Sequence, residues 1–188
     1  MSDDALESAR LIDRLERLAR SGESALGLNP AQWEALRYLE RANRFSRTPA
    51  ALADYLGSTR GTVSQTLIAL ENKGFVRREP SERDKRSIDL SLTKRGERTL
   101  KDDPLRALAR DIGAAGPDIS GFIEVLRGTL RKAIARNGSR PFGACYSCTH
   151  FRPDARAGSD APHHCALLDQ KLSARDSEQI CFEQQPAV

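Results

Sequence analysis

Cys145 and Cys148 form a Cys-x-x-Cys pair; sixteen residues separate Cys148 from Cys165, and fifteen separate Cys165 from Cys181. A Cys-x-x-Cys pair puts two thiolates on one tight turn, where they can share a metal. Two more cysteines complete a four-thiolate set. Four thiolates suit a [4Fe–4S] cluster, and they also suit zinc, although zinc ribbons usually pair two such knuckles and this chain has one. A thiol–disulfide switch and free thiols are the remaining alternatives. His150, His163 and His164 fall in the same stretch and can replace a cysteine as ligand; a surface or supporting role is the simpler reading. The surrounding sequence is polar. Its large apolar residues are few: Phe142, Tyr146, Phe151, Leu167, Leu168, Leu172, Ile180 and Phe182. So small a unit builds little core, and a metal would supply the missing cross-link.

A second chemistry lies upstream. Thr59, Arg60, Thr62, Ser64 and Gln65 open a helical segment with short hydroxyls, one guanidinium and one amide. Arg77, Arg78, Arg83, Lys85 and Arg86 crowd a strand–loop–strand segment. Small polar side chains at a helix start let the backbone approach base edges in the DNA major groove. Cations on a hairpin follow phosphates or enter the minor groove, which gives salt-dependent affinity. The overall charge of +4 permits nucleic-acid binding without arguing for it; the placement carries the argument.

The elements that position these residues are legible. Residues 2–20 carry Ala5, Ile12, Leu15 and Leu18 at helical spacing. Asn29-Pro30 with Gln32 announces a capped helix bearing Trp33, Leu36, Tyr38 and Leu39. Thr48-Pro49 opens a short helix to Leu56, Gly57-Ser58 turns, and a third helix runs over 59–73 with Val63, Leu67 and Leu70 inward and Gly74 as its stop. Strands are expected at 75–79 and 87–92, with a charged loop between them. Helix resumes after Thr93, and 117–136 carries Ile119, Phe122, Ile123, Leu126, Leu130 and Ile134 on one stripe. Asn137-Gly138-Ser139 marks a boundary. The expected fold is mainly α with a small β-hairpin wing: a winged helix-turn-helix with a helical dimerisation region over 1–136, then a small irregular cysteine-rich module over 137–188. Trp33 and Tyr38 are read as packing residues.

Residues 28–96 resemble the MarR family of regulators. The resemblance rests on Leu67-Ile68-Ala69-Leu70-Glu71-Asn72-Lys73-Gly74-Phe75-Val76-Arg77-Arg78 and on Asp84-Lys85-Arg86-Ser87, followed by Leu90-Ser91-Leu92-Thr93 and Gly96. It implies a homodimer on double-stranded DNA, with Asp84 bracing the wing and Arg86 contacting DNA. A small-molecule effector between the lobes is common in such proteins. The tail lies outside this resemblance; its Cys-x-x-Cys, following Phe and two distant cysteines are similar to the iron–sulfur accessory subunits of glycyl-radical enzymes.

The start, Met1 to Glu7, is acidic and has no apolar core, so a secretory signal is not expected and the cytosol is the default compartment. No apolar stretch approaches the roughly 18–20 residues of a membrane span. No Ser/His/Asp grouping, phosphate loop or paired-carboxylate motif points to an enzyme. A thiol oxidoreductase using Cys145 and Cys148 would need a thioredoxin-like βαβ pattern that the sequence does not offer.

Overall fold

The computed structural model describes residues 2–21, 27–83, 85–116 and 118–187. The elements run α1 (Asp3–Ser21), α2 (Pro30–Arg41), α3 (Pro49–Leu56), α4 (Arg60–Asn72), β1 (Val76–Pro80), β2 (Ile88–Leu92), α5 (Lys94–Lys101), α6 (Leu105–Ala115), α7 (Ile119–Arg136), β3 (Gly143–Ala144), β4 (Phe151–Arg152), β5 (His163–Cys165), β6 (Gln170–Leu172), α8 (Ala174–Glu178) and β7 (Ile180–Cys181).

Local chemistry explains the starts and stops. The Asn29 side chain accepts from Gln32 N–H while the Gln32 side chain accepts from Asn29 N–H, a complete capping box. Thr48, Thr59 and Thr93 cap α3, α4 and α5 in the simpler way. Gly57 ends α3 with φ 58°, a left-handed conformation that costs glycine little, and so makes the turn between α3 and α4. At Gly96 the reason for glycine is contact: a Cβ there would collide with the Phe75 carbonyl oxygen. The expected helix 117–136 is α7; residue 117 itself lies outside the described residues.

α2, α3 and α4 enclose the main core. Trp33, Leu36, Tyr38, Leu39, Leu52, Val63, Leu67 and Leu70 are fully buried there, and Leu90 and Leu100 close it from β2 and α5. Each of these large side chains contributes roughly 2 kcal/mol of apolar burial. Strands β1 and β2 pair antiparallel, Val76 opposite Leu92 and Pro80 opposite Ile88.

The cysteine-bearing tail is built from two small antiparallel sheets, β3–β7 and β4–β5–β6. It packs on α2 and the α2–α3 loop: Ile180 belongs to the main core, and Phe142 and Phe182 pack against it. Phe142 stands edge-on to Tyr38 and Tyr55, with ring centroids 6.0 and 5.1 Å away. The boundary expected at residue 137 therefore separates sequence patterns, while the two parts share one core.

Helices α6 and α7 bury no residue of their own. Ile119, Phe122, Ile123, Val125 and Leu130 are exposed, as are Leu6, Leu11, Ile12, Leu15 and Leu18 on α1. A part-buried ion pair helps to pin the start of α6 to the core. Arg37 Nε and Nη2 donate to the two Asp103 carboxylate oxygens at 2.8 and 2.6 Å, and Leu105 N–H also donates to Asp103. Burial alone would raise the Asp103 pKa; the bonds from Arg37 and Leu105 outweigh it and hold the carboxyl below its usual value. A depressed folded pKa contributes stability above the unfolded carboxylate value, about 3.9, and that contribution disappears as pH falls through the lower folded value. Asp103→Asn is therefore expected to cost about 2 kcal/mol at pH 7. Denaturant unfolding should show the gap between variant and parent closing below about pH 4; a gap independent of pH would remove the pair from this role.

Candidate functional site

Helix α4 presents one side to solvent. Val63, Leu67 and Leu70 face the core, which leaves Arg60, Gly61, Thr62, Gln65 and Ile68 exposed. Two of the hydroxyls expected to meet DNA are already engaged: Thr59 Oγ1 accepts from Thr62 N–H at 3.1 Å, and the two hydroxyls lie 2.9 Å apart. They brace the first turn, which carries the exposed Arg60; Gln65 is exposed one turn further along. Ser64 is half-buried.

On the wing, Arg77, Lys85 and Arg86 are exposed. Arg77 lies 3.6 Å from Glu79, a solvent-exposed and therefore weak pair. Arg78 pairs with Glu71 on α4 at the same distance. Arg83 is placed differently from its neighbours: it donates to the Arg44 carbonyl at 3.2 Å and to Asp89 at 3.1 Å, and its guanidinium lies 5.1 Å from the Phe45 ring centroid. It ties the wing to the α2–α3 loop rather than projecting outward. Asp84, expected to brace the wing, lies outside the described residues.

The cysteines are all free thiols. Cys145 opens a 3-10 turn, Cys145–Ser147, that brings Cys148 round beside it, and Cys148 N–H donates to the Cys145 carbonyl at 3.0 Å. Strand pairing sets Gly143 opposite Cys181 and Phe151 opposite Cys165. Cys145, Cys181 and Leu172 form one buried cluster, against which Cys165, Phe151 and Phe45 pack. Cys148 Sγ accepts from Gln185 N–H at 3.5 Å. Three of the four sulfur-bearing side chains thus share one apolar pocket, and the fourth sits on the same turn. As placed, they engage one another and the backbone: among the described residues no group of three or more His, Cys, Asp or Glu side chains is arranged to hold a metal ion.

The thiols are electrostatically unequal. Cys181 is pushed down to about 6 because the Cys145 thiol donates to it; burial opposes this, and Asn43, the Glu183 amide and the Ser46 hydroxyl add to it. Cys145, which keeps the shared proton, is pushed up, and burial pushes it further. A thiolate inside the cluster is the form that ligates metals. Of the histidines, His163 Nδ1 accepts from Asp154 N–H at 3.2 Å and His164 Nε2 lies 3.3 Å from Asp169. His150 Nε2 is buried without a hydrogen-bond partner; the sequence offered no sign of this.

A cavity of about 650 Å³ opens between α2, α3, α6 and α7, lined by Arg37, Arg106, Tyr55, Leu130, Ile134 and Phe142 among others. No helix among the described residues is long and apolar enough to cross a membrane.

Comparison with known proteins places this architecture. The family model described as MarR family matches residues 26–87. The transcriptional repressor MprA of Escherichia coli (strain K12) is 33% identical over 78 residues, 42% of this chain and 44% of that repressor, so the chain spans under half the length of this curated relative. A MarR transcriptional regulator from Methanosarcina mazei Go1 superposes with a TM-score of 0.58 at 19% identity, over 71% of this chain and 99% of the other. The S. aureus MepR–DNA complex gives a TM-score of 0.55 at 18% identity, over 72% of this chain and 99% of the other. At such identities the superpositions establish the fold: a mainly helical, MarR-like winged helix whose wing is a small antiparallel sheet.

Proposed function

We propose that this chain is a MarR-type transcription regulator, a repressor, that binds a pseudo-palindromic duplex operator as a homodimer and is modulated by a redox-sensitive [4Fe–4S] cluster on Cys145, Cys148, Cys165 and Cys181. The observation that carries the DNA reading is the outward face of α4, with Arg60 on its capped first turn and Gln65 on the next, beside the exposed cations Arg77, Lys85 and Arg86 of the wing. A helix of this kind reads base edges, while wing cations contact phosphates or the minor groove. Thr59 and Thr62 then orient the first turn, and Ser64 borders the contact. Arg83 acts from the loop that joins β1 and β2. Two similar proteins support this reading, the transcriptional repressor MprA and MepR in complex with DNA.

The dimer reading rests on the exposed apolar faces of α1, α6 and α7, whose contiguous area a monomer would leave in water. A two-fold dimer would set two α4 helices at half-sites about one helical turn apart.

The cluster reading rests on the convergence of the cysteines in a pocket walled by Phe45, Phe151 and Leu172. Coordination requires the four sulfurs to turn toward one centre. Apolar walls would limit water access to a cluster and so tune its potential. Structural zinc on the same quartet, with a small effector in the 650 Å³ cavity, is the second reading, favoured by that cavity's position between the lobes.

Gln65→Ala is expected to change which sequences are bound, measured by selection from randomised duplexes. Arg86→Ala should weaken binding to all sequences and flatten the salt dependence by about one unit of slope. An unchanged slope would take Arg86 out of the interface.

Protein purified without oxygen should be brown and carry iron and sulfide in equal amounts, and each Cys→Ser variant should lose both. Stoichiometric zinc without iron would install the second reading in its place.

Leu126→Asp puts an uncompensated charge into the apolar seam, at a cost of several kcal/mol. Sedimentation should then report a monomer; an intact dimer of parental stability would move the seam elsewhere.

A further inference from the structure

The tail and the DNA-reading elements meet in one place. Residues 42–48, between α2 and the Thr48 cap of α3, have the cysteine cluster on one side and the wing on the other. On the cysteine side, the Asn43 amide nitrogen donates to Cys145 Sγ at 3.4 Å. Asn43 N–H donates to the Ile180 carbonyl at 2.9 Å, next to Cys181 in the chain. Phe182 N–H donates to Ser46 Oγ at 2.8 Å. Arg44 donates to the Lys171 carbonyl, and Phe45 packs against the pocket formed by Cys145, Cys181 and Leu172.

On the DNA side, the same Phe45 ring lies between Arg44 and Arg83, with guanidinium carbons 4.6 and 5.1 Å from its centroid. The Arg47 carbonyl accepts from Leu90 N–H on β2 at 2.7 Å. Thr48 Oγ1 accepts from Ala51 N–H at 3.2 Å and starts α3. The loop's own shape depends on Asn43, whose Oδ1 accepts from Phe45 N–H and Ser46 N–H at 3.1 and 3.0 Å. One asparagine therefore holds a cysteine sulfur with its nitrogen and the loop with its oxygen.

We propose that residues 42–48 transmit the state of the cysteine quartet to the wing, with Asn43 and Phe45 as the positioning residues. The proposal rests on the quartet modulating DNA binding, but not on what the quartet holds. Rotation of Cys145 and Cys181 toward a bound centre changes the partner of the Asn43 amide and the wall on which Phe45 rests. Phe45 carries Arg83, and Arg83 carries Asp89 of β2. The wing is displaced relative to α4, and its cations leave or reach the phosphates. Coupling thus runs within one subunit, through contacts that differ between the two states.

A double-mutant cycle on the full chain tests this. Affinity for a duplex selected by the parent protein is measured without oxygen for the parent, Cys181→Ser, Phe45→Leu and the double variant. Cys181→Ser should change the dissociation constant about 5-fold or more in the parent and by under about 2-fold in the Phe45→Leu background. Phe45→Tyr, which keeps a stacked ring, should restore the larger factor. Equal factors in both backgrounds, or no shift in the parent, overturn the proposal. Hydrogen exchange at the Leu90 amide supplies a second readout: it should accelerate in Cys181→Ser, and unchanged protection counts against the route. Iron and sulfide analysis of the same samples separates the two ideas. A Phe45-dependent shift in protein without iron refutes the cluster and keeps the route; equal factors in iron-loaded protein refute the route alone.

Discussion

The α2–α3 loop has no repeating hydrogen-bond pattern of its own, yet Asn43 and Ser46 in it are buried. Every buried polar group there must find a partner outside regular structure. The partners come from three directions: Tyr38 O–H donates to the Ser46 carbonyl at 2.6 Å, Ile180 and Phe182 from the tail pair with Asn43 and Ser46, and Leu90 from the wing pairs with Arg47. That requirement makes the tail part of the winged-helix lobe. Without it, Ile180 would leave the main core, and Asn43 and Ser46 would lose buried partners, each at roughly 1–3 kcal/mol. The same burial keeps Tyr38 protonated well above the usual tyrosine range, with desolvation as the main cause and the neighbouring Cys181 next.

The two halves of the chain are stabilised in different ways. The lobe around α2–α4 buries its large side chains within one subunit. Helices α6 and α7 bury none, and their apolar faces stand open. The Arg37–Asp103 pair fixes where α6 leaves the core, so it orients the open faces relative to α4. In the proposed dimer that orientation would set the separation of the two α4 helices, and the α2–α3 loop would set the wing of each subunit. Spacing and wing position would then be governed by different contacts.

Much of the fold was written locally. The Asn29–Gln32 capping box, the Thr48-Pro49 start, the Gly57 turn and the inward Val63, Leu67 and Leu70 each depend on residues a few positions apart, and each stands in the structure as the sequence implies. Strand β1 sits one residue later than the pattern suggested, at 76–80, because Phe75 belongs to the α4 exit: its N–H donates to the Leu70 carbonyl; β2 starts one residue later and ends as expected, at 88–92. Trp33 and Tyr38 are core residues, as read. The basic segment and the four-cysteine set were visible as types and spacing.

Tertiary structure decided what those residues touch. The arginines of the wing look alike in sequence, yet Arg83, itself exposed, is tied to Arg44, Phe45 and Asp89, while Arg77 lies beside Glu79. The cysteine spacing said nothing about docking on α2, because the deciding contacts join residues far apart: Arg37 to Asp103, Asn43 to Cys145 and Ser46 to Phe182 are separated by 66, 102 and 136 positions. Caps and turns are chosen by energies within one turn of chain, so the sequence alone determines them. Which loop covers a cysteine pocket depends on which distant surface can satisfy its buried amides, and only the folded chain brings that surface into reach.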